Sequence, residues 1–206
     1  MEELLDDETK AEISNKFSDM EHDVLLICVD GGKEMGALLE GLAALSPKLS
    51  IERREIGDGE SERLGISQGP MVLLRGEGVK GDLRFYGLPE GYEFPAFIEA
   101  VLLASRGSLK GPAAEFAKSL GDGLKVEVFV APGCPYCPTS ALVAAKLAIA
   151  GPNVKGYVYN AQEFPELSAK YNVSGVPKTV INEGAGEYVG GLPEDSAVMA
   201  IRKAIS

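Results

Sequence analysis

The tetrapeptide Gly-Leu-Pro-Glu stands at Gly87 to Glu90 and again at Gly191 to Glu194, 104 residues later. Gly69-Pro70 before the apolar run Met71–Leu74 is matched by Val176-Pro177 before Thr179–Ile181, 107 residues on. The small difference in offset is what loop insertions produce. Val24–Val29 and Val126–Val130 are short β-type runs, each opening one half. A self-similarity of this period means that one supersecondary unit of about 100 residues occurs twice. We therefore expect two domains, residues 1–108 and 109–206, with a Gly/Pro linker from Gly107 to Pro112.

Strand-length apolar runs and helical periodicity give the order inside each unit. In the second unit the pattern predicts strand 124–130, a loop, and an Ala/Leu-rich helix from about 135 to 150. Strand 154–160, a short helix near 163–171, strand 178–182, strand 187–190 and a helix opened by Pro193-Glu194 follow. The first unit repeats this: strand 24–29, helix 33–45, strand 50–56, a short helix near 59–64, strands 71–75 and 83–87, and helix 91–105. Extra helices are predicted at 7–18 and 112–120. Each unit reads βαβ then ββα, an α/β class with a mixed central sheet flanked by helices, because a βαβ crossover pairs strands in parallel and the hairpin adds antiparallel ones.

Charge and cysteine content narrow the chemistry. With 20 Lys+Arg against 31 Asp+Glu the formal charge is −11, which argues against nucleic acid or an anionic membrane surface as partner. The acid-rich opening MEELLDDETK lacks the basic and apolar regions of a secretory signal, and no apolar run approaches the length of a membrane span. A cytoplasmic protein is expected. Three cysteines and one histidine do not make a disulfide framework. A four-ligand zinc site is hard to assemble from Cys28, His22 and the pair Cys134/Cys137, so no metal is expected.

That pair, in Cys134-Pro135-Tyr136-Cys137-Pro138, falls at the first strand-to-helix junction of the second unit. Disulfide exchange needs a thiolate, and the positive end of a helix lowers a thiol pKa. Pro135 suits a first helical turn because it needs no N–H. Cys137, one turn on, is placed to resolve a mixed disulfide by attacking Cys134. A metal site and incidental cysteines are the rival readings.

The segments VFVAPGCPYCP, YNVSGVPKTVI and FYGLPEGYEFPAF, together with the doubled βαβ-ββα order, resemble the archaeal and thermophilic protein disulfide oxidoreductases, glutaredoxin-like proteins with two thioredoxin folds. The resemblance covers nearly the whole chain. It implies tandem thioredoxin-like folds and a disulfide oxidoreductase that reduces, forms or isomerises protein disulfides. It implies Cys134 as nucleophile, Cys137 as resolving thiol, and Pro135 and Tyr136 as residues that set potential and access. It also implies a cis Pro177 beside the sulfurs and a Val176 backbone that holds an extended substrate strand. Lys178 reads either as a group favouring the thiolate or, more simply, as a solvent-facing lysine. The implied partners are disulfide-containing proteins, a thioredoxin-reductase-like flavoprotein carrying electrons from NAD(P)H, and a peroxiredoxin, with no cofactor bound by the chain itself. An electron-transfer adaptor to a peroxidase, an iron–sulfur-bridged dimer, and a non-catalytic binding module or chaperone with regulatory cysteines stand as alternatives.

Two departures are informative. The buried Asp of thioredoxins falls on Val128 here, and the neighbouring Glu127 has the opposite strand parity, so proton handling must use water or another group. In the first unit Val29-Asp30-Gly31-Gly32-Lys33-Glu34-Met35 replaces a C-x-x-C, leaving Cys28 as a buried strand residue and the unit as a docking domain with Gly69-Pro70. Other signals are discounted. Gly76-x-Gly78-x-x-Gly81 lies between two strands and reads as a hairpin loop rather than a dinucleotide site. Asn172-Val173-Ser174 fits a glycosylation acceptor and is discounted for a cytoplasmic chain, His22 reads as a surface residue, and the acid runs Glu2–Glu8 and Asp58–Glu62 as solvated faces or helix N-terminal charges.

Overall fold

Each strand alternates its side chains between two differently covered faces, and this alternation explains how one sheet supports both halves of the chain. The computed structural model describes residues 5–206. Its elements run α1 (Asp7–Phe17), β1 (Val24–Val29), α2 (Gly32–Ala43), β2 (Leu49–Arg54), α3 (Gly59–Arg63), β3 (Met71–Gly76), β4 (Asp82–Tyr86) and α4 (Glu93–Ala104). They continue with α5 (Pro112–Ser119), β5 (Leu124–Val130), α6 (Cys137–Ala150), β6 (Val154–Asn160), α7 (Pro165–Lys170), β7 (Lys178–Ile181), β8 (Gly186–Val189) and α8 (Glu194–Ala204). The expected elements all form. The acid run at the N-terminus begins α1 as expected: Asp6 accepts the Thr9 amide at 2.7 Å, with Asp7 and Glu8 in the first turn. Its first positions, Glu2 to Leu4, lie outside the described residues.

The strands form a single eight-stranded sheet in the order β2-β1-β3-β4-β6-β5-β7-β8. Each half contributes its four strands in the same internal order, and the halves meet where β4 pairs in parallel with β6, Leu83 opposite Gly156 and Phe85 opposite Val158. The fold is thus tandem thioredoxin-like, with the two expected sheets merged edge to edge. One face carries Leu26, Cys28, Leu74, Phe85, Val128 and Val158 into the larger core, under α2, α4, α5 and α6. The other carries Val29, Met71, Tyr86, Phe129, Tyr159 and Val180, covered by the short helices α3 and α7 and their flanking loops.

The hairpin joining β3 to β4 locks the halves together. Its Lys80 and Gly81 amides donate to the Ile149 and Ala148 carbonyls at 2.9 Å each, satisfying the end of α6. A Cβ on Gly81 would collide with the Ala148, Gly151 and Val154 carbonyl oxygens, so the Gly-rich spacing serves close backbone approach.

Candidate functional site

The loop 131–136 leaves the end of β5 and turns into α6. The Cys134 amide donates to the Ala131 carbonyl at 3.0 Å, and the Cys137 amide to the Cys134 carbonyl at 3.3 Å, so both cysteines sit at hydrogen-bonded corners. They are joined as a disulfide with Cα atoms 5.4 Å apart. Both are buried, whereas Tyr136 between them is 70% exposed. The helix begins at Cys137 with Pro138 in its first turn, two residues later than expected, with Tyr136 as its N-cap. Pro135 therefore lies in the exposed turn rather than inside the helix.

Across from this turn, Val176-Pro177 is a cis peptide, as is Gly69-Pro70. The Pro177 carbonyl accepts from the Gly190 amide at 2.8 Å. A Cβ on Gly191 would lie 2.7 Å from the Tyr136 carbonyl oxygen, so the Gly190-Gly191 loop packs directly on the turn that carries the dithiol. The amide and carbonyl of Val176 have no hydrogen-bond partner among the described residues, and the residue is half-exposed, which leaves a strand-like edge beside the disulfide.

Lys178 is not solvent-facing. It is buried, its ammonium donating to the Tyr171 carbonyl at 2.7 Å and pairing with Glu187 at 2.9 Å. It secures the loop ahead of Val176 rather than facing the sulfurs. Glu127 points to the opposite face from Val128, as strand parity requires. There it lies buried against Lys125 at 3.0 Å and the Tyr171 hydroxyl at 3.1 Å, and burial first, then the Glu127 charge, pushes the Tyr171 phenol up to about 12.

Glu93 is a buried acid beside the loop of the dithiol that the sequence does not mark. The Tyr92 amide donates to the Pro132 carbonyl at 2.9 Å, which seats the start of α4, from the N-terminal half, on the loop leading into Cys134. Helices α4 and α6 pack together. Glu93 in that first turn is 2% exposed, and its Oε2 has no hydrogen-bond partner. Burial, and then the charges of Glu163 and Glu90, push its carboxyl up to about 8. Glu163 is itself held by the Leu88 amide and the Asn160 side chain, both at 2.9 Å. The local signal at Glu93 is an acid at a helix N-terminus, which usually means solvated charge.

Among the described residues no cluster of His, Cys, Asp and Glu has the makings of a metal site, and no helix is long and apolar enough to cross a membrane. Cys28 lies buried under α2, its thiol pushed up by burial although the Gly31 amide opposes this.

Residues 124–203 match the family model described as "Thioredoxin domain". A thioredoxin of Methanocaldococcus jannaschii is 35% identical over 81 residues, covering 39% of this chain and 94% of the relative. The chain also matches an NADH dehydrogenase of Bacillus subtilis, 23% identical over 87% of this chain, but spans only about a third (34%) of that relative's length. Among solved structures, the alkylhydroperoxide reductase AhpF of Enterococcus faecalis superposes with a TM-score of 0.82 at 23% identity, covering 96% of this chain and 99% of that one. A protein disulfide oxidoreductase of Aeropyrum pernix does so with a TM-score of 0.81 at 24% identity, covering 98% and 94%. These two likenesses establish the doubled fold.

Proposed function

This chain belongs to the thioredoxin family, and on that premise we propose that it is a thiol–disulfide oxidoreductase whose reacting pair is Cys134 and Cys137. The observation that carries this reading is the Cys134–Cys137 disulfide at the β5–α6 corner, where the outer sulfur borders exposed Pro135 and Tyr136 and the inner one is sealed in the core. In the reductive direction the Cys134 thiolate attacks a substrate disulfide, forming a mixed disulfide and expelling one substrate thiolate, which takes up a proton. The Cys137 thiolate then attacks Cys134, releasing the second substrate thiol and leaving the chain oxidised by two electrons. The free main chain of Val176 holds the substrate strand while this happens, and Pro177 fixes that loop. Glu93, buried in the helix turn that the Tyr92–Pro132 bond seats on the Cys134 loop, with its carboxyl pushed up to about 8, is the nearby group this reading assigns to exchange a proton with the inner thiol.

Electrons come from NAD(P)H through a separate flavoprotein, and the chain works in the cytoplasm as two domains, residues 1–108 without a dithiol and 109–206 with one. With the reduced full chain and insulin as substrate, Cys134→Ser should abolish reduction, while Cys137→Ser should accumulate a mixed disulfide detectable by mass spectrometry. Full activity in Cys134→Ser would refute the assignment.

A second reading has its own observation. The full-length superposition on an alkylhydroperoxide reductase supports an adaptor that passes electrons to a peroxidase. Peroxide-dependent NAD(P)H oxidation that requires this chain, a flavoprotein reductase and a peroxiredoxin together would favour it over general protein disulfide reduction.

A further inference from the structure

A cleft of about 860 Å³ opens not at the dithiol but at the corresponding corner of the N-terminal half, above Cys28 where β1 gives way to α2. Of its charged walls, all but Lys33 and Glu55 are engaged. Arg53 and Arg54 pair with Glu40 and Glu52. Asp30 accepts the Ile56 amide at 3.1 Å, and Asp58 accepts the Ser61 amide at 2.6 Å. The cleft also leaves groups of another kind unused. Ile56 lines it and is 40% exposed. Beside Ile56 stands Gly69, so close that a Cβ there would lie 3.6 Å from Ile56 Cδ1. The amide and carbonyl of Gly69 have no hydrogen-bond partner among the described residues, as at Val176. A free main-chain donor and acceptor beside an exposed apolar side chain fits an extended polypeptide, which brings backbone groups for the first and a side chain for the second.

The sheet relates this corner to the dithiol. β1 and β4 are each antiparallel to β3, β4 is parallel to β6, and β6 is parallel to β5. The carboxyl ends of β1 and β5 therefore lie on the same edge of one sheet. Gly69 precedes β3 and Val176 precedes β7, four strands apart in the order β3-β4-β6-β5-β7. At about 4.8 Å per strand the two docking points are about 19 Å apart, the reach of about six extended residues. We propose that the cleft beside Gly69 is a second docking site for the polypeptide whose disulfide is exchanged at Cys134, engaging it about six residues from the reacting cysteine. This rests on the disulfide-exchange reading above and adds to it the substrate class: an extended chain rather than a small disulfide. The N-terminal half, lacking a dithiol, supplies grip without chemistry.

The test uses the pre-reduced full chain and peptides whose single cysteine carries thionitrobenzoate, with flanks of about two or about ten residues. Release of the chromophore reports attack by the chain. Ile56 is exposed, so Ile56→Glu should fold, and its rate with the short peptide checks this directly. Ile56→Ala is the milder companion. The expected result is an unchanged half-saturating concentration for the short peptide and a rise of about fivefold for the long one in Ile56→Glu, with a smaller rise in Ile56→Ala. Equal behaviour of both variants and the parent toward the long peptide would overturn the docking site and leave the disulfide exchange standing. No chromophore release by the parent from either peptide would overturn the exchange reading itself, and the docking site with it.

Discussion

The Tyr92 amide and the Pro132 carbonyl, 40 residues apart in sequence, are joined by a 2.9 Å hydrogen bond, and this bond ties the unit that has no dithiol to the loop that carries one. Through it the first turn of α4 brings a buried carboxyl, Glu93, to the margin of the site. The same packing runs the length of the helices, because the β3–β4 hairpin binds the far end of α6 through Lys80 and Gly81. The loop that carries the dithiol, and the helix that follows it, are therefore braced by the N-terminal half.

Stability should report the state of Glu93. Its carboxyl titrates near 8 in the folded chain against about 4.5 unfolded, so the folded state holds the extra proton between those values. Stability conferred by that proton is present at low pH and is lost as pH rises through about 8. Glu93→Gln, which keeps the shape and removes the charge, should be more stable than the parent at pH 9, by an amount on the order of 2 kcal/mol, and nearly equal to it at pH 5. Urea denaturation at the two pH values checks this. A constant difference would show that the buried charge is not its source.

Chemistry should report it separately. If Glu93 exchanges a proton with the inner thiol, the release of product from the Cys134 mixed disulfide will show an inflection close to the Glu93 pKa. Glu93→Gln should remove that inflection and slow the step about 10- to 100-fold near pH 7. Stopped-flow thiol trapping across pH 6 to about 9 measures it.

The seat of α6 on β6 depends on a missing side chain. A Cβ on Gly156 would collide with the Ala144 carbonyl and approach the Ala148 methyl at 2.9 Å. Gly156→Val should cost about 1–3 kcal/mol through overpacking and, by pushing α6 outward, displace Cys137. Denaturation midpoints, with the reduction potential of the pair measured in parallel, would show both effects.

Lys178 anchors the approach to Val176. Its substitution by Met keeps the aliphatic stem and strands the Tyr171 carbonyl and Glu187. A loss of about 1–3 kcal/mol is expected, with a lower rate toward peptide substrates and an unchanged potential of the cysteine pair. A shifted potential would instead place Lys178 in electrostatic contact with the sulfurs.

Cys134 and Cys137, the doubled Gly-Leu-Pro-Glu and the order of strands and helices were legible in the chain itself. Each is a local matter: period-2 and helical spacing fix element type, and two cysteines three apart at a strand-to-helix junction are brought together by one turn of backbone. Parity along β5 even placed Glu127 on the face away from Val128. Glu93 and the burial of Lys178 were different. Whether a carboxylate or an ammonium is solvated depends on what distant segment lands on it, and nothing near Glu93 in sequence indicates Pro132, nor near Lys178 the loop of Tyr171 and Glu187. The merging of two sheets through β4 and β6 is the same kind of fact. Strand pairing between Leu83 and Gly156 is chosen by the packing of whole faces, so only the tertiary structure decided that two repeats share one sheet and one edge.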